Sequence, residues 1–260
     1  MLIDMDTLSS GDRADWGRLE RYDLALGASP SLARKTREAL DLISRYVNTT
    51  PDTVCSTSWG KDSIVVAHLT RLTAPEIPIM WVPTIRTDGM SYEADATYQV
   101  RDRFLSDYPG PYIEQAAIAR NPKRGDPDYS PDQFTQPGYQ SQDVLKENNT
   151  RPYISGVRAE ESAIRAGSRR WHGLATKNTC RPIMDWKTTD IFAYIAEHDL
   201  PAHPAYAATY GGKLDRRWLR VHPLRSKPPA RSTIYGRDME QWEDTYFPDL
   251  AEHTPYGIGV

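Results

Sequence analysis

Apolar positions along the chain predict helices alternating with short strands. From Ser31, Leu32, Leu40, Ile43 and Val47 recur at roughly helical spacing until Pro51 ends the run. A strand over Thr53 to Ser56 follows. It runs into the polar string Thr57-Ser58-Trp59-Gly60-Lys61-Asp62-Ser63, after which Ile64, Val65, His68, Leu69 and Leu72 restore helical periodicity. The apolar run Ile77 to Val82 lies between Pro75 and Pro83, and a charged helical stretch, Tyr92 to Leu105, comes after it. Tyr153 to Val157 reads as a third strand, Glu160 to Arg169 as a helix, and Thr188 to Glu197 as another whose buried stripe is Ile191, Phe192 and Ile195. This alternation predicts an α/β fold: a parallel sheet covered by helices on both faces, with its site at the carboxyl ends of the strands.

The flanks read differently. Residues 1–30 mix charge, Gly and Ser and are expected to form an N-terminal extension that packs on the domain or stays loose. The α/β domain spans 31–200. Within it, Pro122, Pro127, Pro131 and Pro137 mark a Pro-rich insert, 121–138, expected as a loop or lid. Residues 201–260 form a C-terminal segment that is first basic and then acidic.

Composition narrows the function classes. A chain of 260 residues can bury a sizeable core, and 39% hydrophobic content with 7 Trp and 15 Tyr fits a compact globular protein. The formal charge of −3 argues against a surface that is wholly a nucleic-acid footprint. Its distribution is uneven, however. Between Lys213 and Arg231 there are seven Lys or Arg and one Asp, a segment that could meet a nucleic acid or protein partner, gather phosphates, or stand as a solvated basic face. The start, Met1-Leu2-Ile3-Asp4-Met5-Asp6, lacks the pattern of a secretory signal, and the longest aliphatic run, Ile64 to Ala67, is too short for a bilayer. The expectation is a cytoplasmic protein without a membrane partner. The two cysteines, Cys55 and Cys180, exclude a multi-bridge disulfide framework and a four-thiolate metal site within one chain.

The strand–loop–helix unit at 53–72 carries the candidate chemistry. A loop entering a helix offers unpaired N–H groups and a favourable dipole to an anion, so phosphate is its natural ligand. Ser56, Ser58 and Ser63 add hydroxyl donors, Gly60 permits close approach, and Lys61 supplies a cation. Asp62 would repel phosphate unless it accepts a bridging Mg²⁺. The spacing is not that of a Walker loop.

Ser58-Trp59-Gly60-Lys61-Asp62-Ser63 resembles the pyrophosphate loop, Ser-Gly-Gly-Lys-Asp-Ser, of the adenine nucleotide alpha-hydrolase superfamily. That group includes phosphoadenylylsulfate (PAPS) reductases, the small subunit of ATP sulfurylase, and ATP pyrophosphatases. Trp59 stands where the first Gly is usual. Gly156-Val157-Arg158-Ala159-Glu160-Glu161-Ser162, with Arg165 beyond, is similar to the Gly-x-Arg-x-x-Glu-Ser-x-x-Arg element, in which a strand end delivers Arg toward the nucleotide. Arg suits the grip because its planar fork stays charged. Arg158 and Arg165 could instead pair with Glu161 on a solvated helix, but their place after a short strand favours ligand contact. Thr87, Asp88 and Glu93 give a weak match to the element after the second strand. Pro182 to Ile195, continuing to Leu200-Pro201 and Pro204-Ala205-Tyr206, is similar to a long family element and is assigned a structural role. In it, Lys187 replaces a capping Thr.

The resemblance covers roughly Arg34 to Arg225 and implies a three-layer, Rossmann-like sheet of the adenine nucleotide alpha-hydrolase type. It also implies a nucleotide, ATP or PAPS, bound by Ser56, Ser58, Trp59, Gly60, Lys61, Ser63, Gly156, Arg158 and Arg165, with Mg²⁺ on Asp62 and Lys61, Asp62 and Arg158 as the catalytic set.

The cysteine count then sorts the reactions. A PAPS reductase carries a nucleophilic thiolate in a C-terminal Glu-Cys-Gly type motif, whereas residues 181–260 contain no cysteine. Arg217-Trp218-Leu219-Arg220-Val221-His222-Pro223-Leu224 looks like a stretch of the ATP sulfurylase small subunit, with Val221 in the place of its Cys. The leading expectation is therefore adenylyl transfer from ATP, with pyrophosphate release, to an oxyanion such as sulfate or to a nucleic acid. The alternatives are a PAPS reductase-like sulfonucleotide enzyme using an external thiol, and a non-catalytic nucleotide or nucleic-acid binding module.

Overall fold

The computed structural model of the chain describes residues 1–85, 91–118, 151–219, 221 and 239–253. Thr87, Asp88, the Pro-rich insert and the greater part of the basic segment, His222 included, lie outside the described residues.

Five short parallel strands form the sheet: β1 (Val54–Thr57), β2 (Ile79–Trp81), β4 (Tyr112–Glu114), β6 (Tyr153–Ile154) and β7 (Thr179–Cys180), in the order β4-β2-β1-β6-β7. Cys55 lies opposite Ile79 on one side and Ile154 on the other, so β1 is the central strand. A separate parallel pair joins β3 (Thr84–Ile85) to β5 (Ala117–Ile118). The chain builds outward from β1 through β2 to β4, then returns to the other side of β1 for β6 and β7. The strand order thus reverses between β1 and β6, and a crevice opens at their carboxyl ends, the usual ligand position in such sheets.

Helices cover the sheet in a three-layer α/β arrangement. Helix α2 (Pro30–Thr49) begins at Ser29, whose hydroxyl accepts from Leu32 N–H (3.2 Å), with Pro30 in the first turn, and it buries Leu32, Ala39, Ile43 and Tyr46. Helix α3 (Lys61–Thr73) follows β1 directly and is buried from Ile64 to Thr70, because it runs against β1 and packs on two other helices. Helix α4 (Asp95–Asp107) sets Val100 and Phe104 into the core.

Two predicted elements depart from their expected bounds for local reasons. The strand expected over Tyr153 to Val157 pairs only to Ile154, since Ser155 to Val157 leave the sheet as a wall of the crevice. The helix expected over Glu160 to Arg169 is a 3-10 turn, Ala159–Glu161, followed by α5 (Ala163–His172). Ser162 is extended between them, and its hydroxyl accepts from Arg165 N–H (3.2 Å), starting the helix afresh. Helix α6 (Thr188–Glu197) has the expected bounds, and its missing Thr cap is replaced from elsewhere. Asp190 accepts from Lys187 N–H (2.6 Å), and Glu160 accepts from both N–H (2.7 Å) and Oγ1 (2.8 Å) of Thr188.

Residues 1–30, expected as an extension, contain α1 (Ser10–Gly27), which lies along α6 with Trp16 edge-on to Phe192 at 6.2 Å. Helices α7 (Met239–Tyr246) and α8 (Pro248–His253) close the described chain, and Trp242 donates to the carbonyl of Ala208 (2.7 Å). Among the described residues, no helix is long and apolar enough to cross a membrane.

Candidate nucleotide site

The loop between β1 and α3 is shaped by its own hydroxyls. Ser63 Oγ accepts from Ser58 N–H (3.1 Å) and from Thr57 Oγ1 (3.3 Å), and donates to the carbonyl of Gly60 (3.1 Å). Thr57 Oγ1 in turn accepts from Trp59 N–H (3.1 Å). This folding-back turns the backbone sharply, and Trp59 takes up the strain with φ of 56°. A left-handed conformation costs a residue bearing a Cβ about 1–2 kcal/mol. The offset comes from the indole, which is 1% exposed and packs between Trp81, Phe104 and Tyr112, with ring centroids 5.6–6.3 Å away. Trp59, expected among the nucleotide-binding residues, therefore directs its side chain into the core, away from the crevice.

Two glycines permit close approach. A Cβ on Gly60 would sit 3.0 Å from Val221 and 3.2 Å from the Tyr206 hydroxyl. A Cβ on Gly156 would fall 2.8 Å from the Asp62 carbonyl carbon, so the strand exit after β6 rests directly on the backbone of the first turn of α3. A cavity of about 480 Å³ lies between them, within the roughly 300–1,000 Å³ typical of small-molecule sites. Its walls include the expected Ser56, Ser58, Gly60, Lys61, Asp62, Ser63, Gly156 and Arg165. Tyr206, Leu219 and Val221 also line it, and these were not foreseen as site residues. A roomier hollow of about 910 Å³ opens beside Tyr46 and Lys177 at the opposite end of the strands, away from the loop and the switch point. Position and donor chemistry favour the smaller cavity.

From the wall a chain of charges runs inward. Lys61 Nζ lies 3.0 Å from Asp62 Oδ2, and Asp62 Oδ1 accepts from Arg158 Nε (2.6 Å). Arg158 Nη1 donates to Glu160 (2.7 Å) and to the carbonyl of Trp186 (3.4 Å), and its own N–H is taken by Glu161 (2.8 Å). Arg158 is 2% exposed and does not line the cavity. The expectation that it grips the nucleotide thus gives way to a supporting place, because two carboxylates and a carbonyl engage its guanidinium. Burial works against its charge, but Asp62 and Glu160 outweigh it and hold its pKa above the ordinary value. Arg165, by contrast, faces the cavity and pairs with Glu161.

Asp62 does not fit the Mg²⁺ role expected of it. Each of its oxygens already faces a cation, so a divalent ion would meet two positive neighbours there. Among the described residues there is no group of three or more His, Cys, Asp or Glu positioned to hold a metal. Asp62 is the counter-ion of Lys61 and Arg158, and Glu161, also on the cavity wall, is paired with Arg165, so both lining carboxylates are matched by cations and the Lys61, Arg165 and Ser58 donors remain suited to an anion.

This geometry coincides with a family assignment. The model of the phosphoadenosine phosphosulfate reductase domain matches residues 52–212. The chain belongs to the PAPS reductase family. A PAPS reductase of Synechococcus sp. is 24% identical over 193 residues, covering 72% of this chain and 82% of the relative. One from Synechocystis sp. is 26% identical over 188 residues, covering 67% and 71%. A crystal structure of PAPS reductase from Candida auris in a phosphate complex superposes with a TM-score of 0.43 at 13% identity, over 68% of this chain and 90% of that one.

Within this PAPS reductase family member the thiols are sealed away. Cys55 on β1 and Cys180 on β7 are free and fully buried, with Ile154 between them in the sheet register. Burial pushes the Cys55 thiol up to about 11 and the Cys180 thiol up to about 12, so neither is a thiolate near neutral pH. A lowered pKa at Cys180, conceivable from its neighbours Arg181 and Lys177, is not what the fold produces. In the described part of the basic segment both arginines are paired. Arg216 is buried against Asp23 (2.6 Å) and over the Phe192 ring (3.9 Å), and Arg217 pairs with Asp215 (2.5 Å).

Proposed function

We propose that the chain binds a sulfated adenine nucleotide of the PAPS type and that the thiolate attacking its sulfur comes from outside the chain. The observation that carries this reading is the cavity at the β1/β6 switch point, where Lys61, Arg165 and the serine hydroxyls converge while both thiols lie inside the sheet. The named relatives favour a sulfonucleotide over the adenylyl transfer expected from the cysteine count.

In the proposed reaction an external thiolate attacks the sulfur and a thiol–sulfur bond forms. The bond from sulfur to the bridging phosphate oxygen breaks, and its electron pair leaves with adenosine 3′,5′-bisphosphate. A second thiol attacks the first thiol's sulfur, forms a disulfide and releases sulfite. Two thiols are oxidised and one sulfate is reduced, so the electrons balance. The chain's own part is placement and neutralisation. Lys61 and the first turn of α3 stabilise charge appearing on the departing phosphate oxygen, and Arg165 holds a second anionic group at the mouth. Asp62 and Arg158 keep Lys61 in place.

A second reading, adenylyl transfer from ATP with pyrophosphate release, draws support from the burial of both cysteines, since it needs no protein thiol. One experiment separates the two: supply PAPS with dithiothreitol, or ATP with sulfate, and measure sulfite and pyrophosphate. Thiol-dependent sulfite release is expected, lost in Lys61→Ala and retained in the Cys55→Ala/Cys180→Ala double variant. Pyrophosphate release without sulfite would transfer the assignment to the second reading. Loss of sulfite in a folded double variant would overturn the external thiol.

A further inference from the structure

We propose that Tyr206 is a binding residue of this cavity, its hydroxyl donating a hydrogen bond to a phosphate or sulfate oxygen of the bound molecule. The inference rests on the nucleotide reading above and adds a contact to it. Tyr206 ends the 3-10 turn Pro204–Tyr206, which is fixed by the bond from Ala205 N–H to His203 Nδ1 (3.1 Å) and by the edge-on Phe192 ring at 5.7 Å. The side chain is 3% exposed and cannot swing away.

Its hydroxyl accepts from Lys61 N–H at 2.9 Å, the first N–H of α3. That bond uses a lone pair and leaves the O–H proton to donate. Among the described residues it is the one hydrogen bond the hydroxyl makes. Burial, with the nearby charge of Asp62, pushes the phenol's ionisation far above neutral, so the proton is present at any working pH. The hydroxyl opens on the cavity because residue 60 has no Cβ, which would stand 3.2 Å away.

Three features make the acceptor an anion. Lys61 Nζ sits 5.3 Å from the centroid of the same ring, so a cation and the O–H act on one region. The adjoining wall carries the hydroxyl of Ser58, a further potential donor, whereas the Ser63 proton is already given to the Gly60 carbonyl. Accepting from Lys61 N–H also polarises the phenol and strengthens it as a donor. The Lys61 amide thereby reaches the ligand through Tyr206, and the next N–H groups of the first turn of α3 remain to act directly.

The test uses the full chain and Tyr206→Phe, which keeps the ring under Lys61 and removes only the hydroxyl. Binding is measured by calorimetry for adenosine and for adenosine 3′,5′-bisphosphate, and by competition for inorganic phosphate and sulfate. A hydrogen bond to a charged group predicts about a ten- to hundred-fold weaker bisphosphate affinity, with adenosine unchanged. Competition by phosphate, by sulfate, or by both tells which oxyanion the hydroxyl serves. Because the variant also loses the partner of Lys61 N–H, 3-fluorotyrosine at position 206 gives a second readout. Its ¹⁹F resonance should move with the bisphosphate and stay in place with adenosine. Equal bisphosphate binding by both chains, equal losses for the two ligands, or an unmoved ¹⁹F signal would overturn the role of Tyr206 alone. No binding of any ligand by the wild-type chain would overturn the nucleotide reading with it.

Discussion

Replacing Arg158 with Met keeps the stem and removes the guanidinium that joins the loop helix to the 159–161 turn. Asp62 would lose the 2.6 Å bond to Nε and keep Lys61, and Glu160 would lose the 2.7 Å bond to Nη1 and keep both bonds from Thr188. Removing one partner of a buried pair costs about 3–5 kcal/mol when the other is left uncompensated. Here each carboxylate retains a second partner and is partly exposed, so the loss should lie lower, at about 2–3 kcal/mol. The sign with pH follows from Glu160. Burial alone would raise its pKa, but the bonds from Thr188 and Arg158 outweigh it and hold the carboxyl below its ordinary value. That stabilisation is present above the unfolded pKa and is lost as pH falls through the folded one. The gap between wild type and variant should therefore be full at pH 7 and narrow below about pH 4.5. Urea unfolding at pH 7 and pH 4, with the slope unchanged, reads both quantities. A gap under about 1 kcal/mol at pH 7, or one that stays constant into acid, would refute the network. Arg165→Met gives the opposite signature. Its half-exposed pair with Glu161 should contribute no more than about 1 kcal/mol to stability, while nucleotide affinity falls.

Three other changes probe separate features. Glu161→Gln releases Arg165 from its carboxylate yet can still accept from Arg158 N–H, so nucleotide binding should tighten about fivefold by calorimetry, and weaker binding would count against an anion site. Trp59→Gly relieves the left-handed backbone but empties the indole's place in the core, and a net destabilisation of about 2–4 kcal/mol is expected in denaturant; a stabilised variant would show that the loop's strain outweighs its packing. Gly156→Ala must part the β6 exit from the first turn of α3, costing about 1–3 kcal/mol and abolishing nucleotide binding, and a variant that binds normally would mean the contact is softer than 2.8 Å implies.

The loop was legible because periodicity changes there. A short strand over Thr53 to Ser56 gives way to a helical pattern from Ile64, and polar residues with one glycine fill the junction, which places a helix N-terminus beside a strand end. Side-chain direction was not legible. Trp59 and Arg158 occupy the expected positions in the chain, but one is turned into the core by a positive φ and the other is drawn behind the wall by Asp62 and Glu160. Tyr206 lies 145 residues from the amide it meets, and nothing local to Pro204-Ala205-Tyr206 signals that contact. The buried state of Cys180 likewise follows from β7 joining the sheet beside β6, a pairing that two short strands do not announce.

The same blindness hid α1, and its recovery bears on the cavity. The buried face of α1 is Asp12, Trp16, Asp23 and Gly27, so one large apolar residue and two carboxylates stand where a hydrophobic stripe is sought. Asp12 accepts from the N–H groups of Thr209 (3.1 Å) and Gly211 (2.8 Å) and from the Tyr246 hydroxyl (3.0 Å), while Asp23 holds Arg216. All of these partners lie in the C-terminal part of the chain. Arg216 opens the 3-10 turn Arg216–Trp218, directly before Leu219, and Leu219 and Val221 are the apolar wall over Gly60. The turn leading into that wall is anchored by the Asp23–Arg216 pair, whose guanidinium lies over the rings of Phe192 and Trp16. An N-terminal helix that touches no ligand thus helps to close the cavity, because a buried charge pair needs its partner in one place and carries the wall with it.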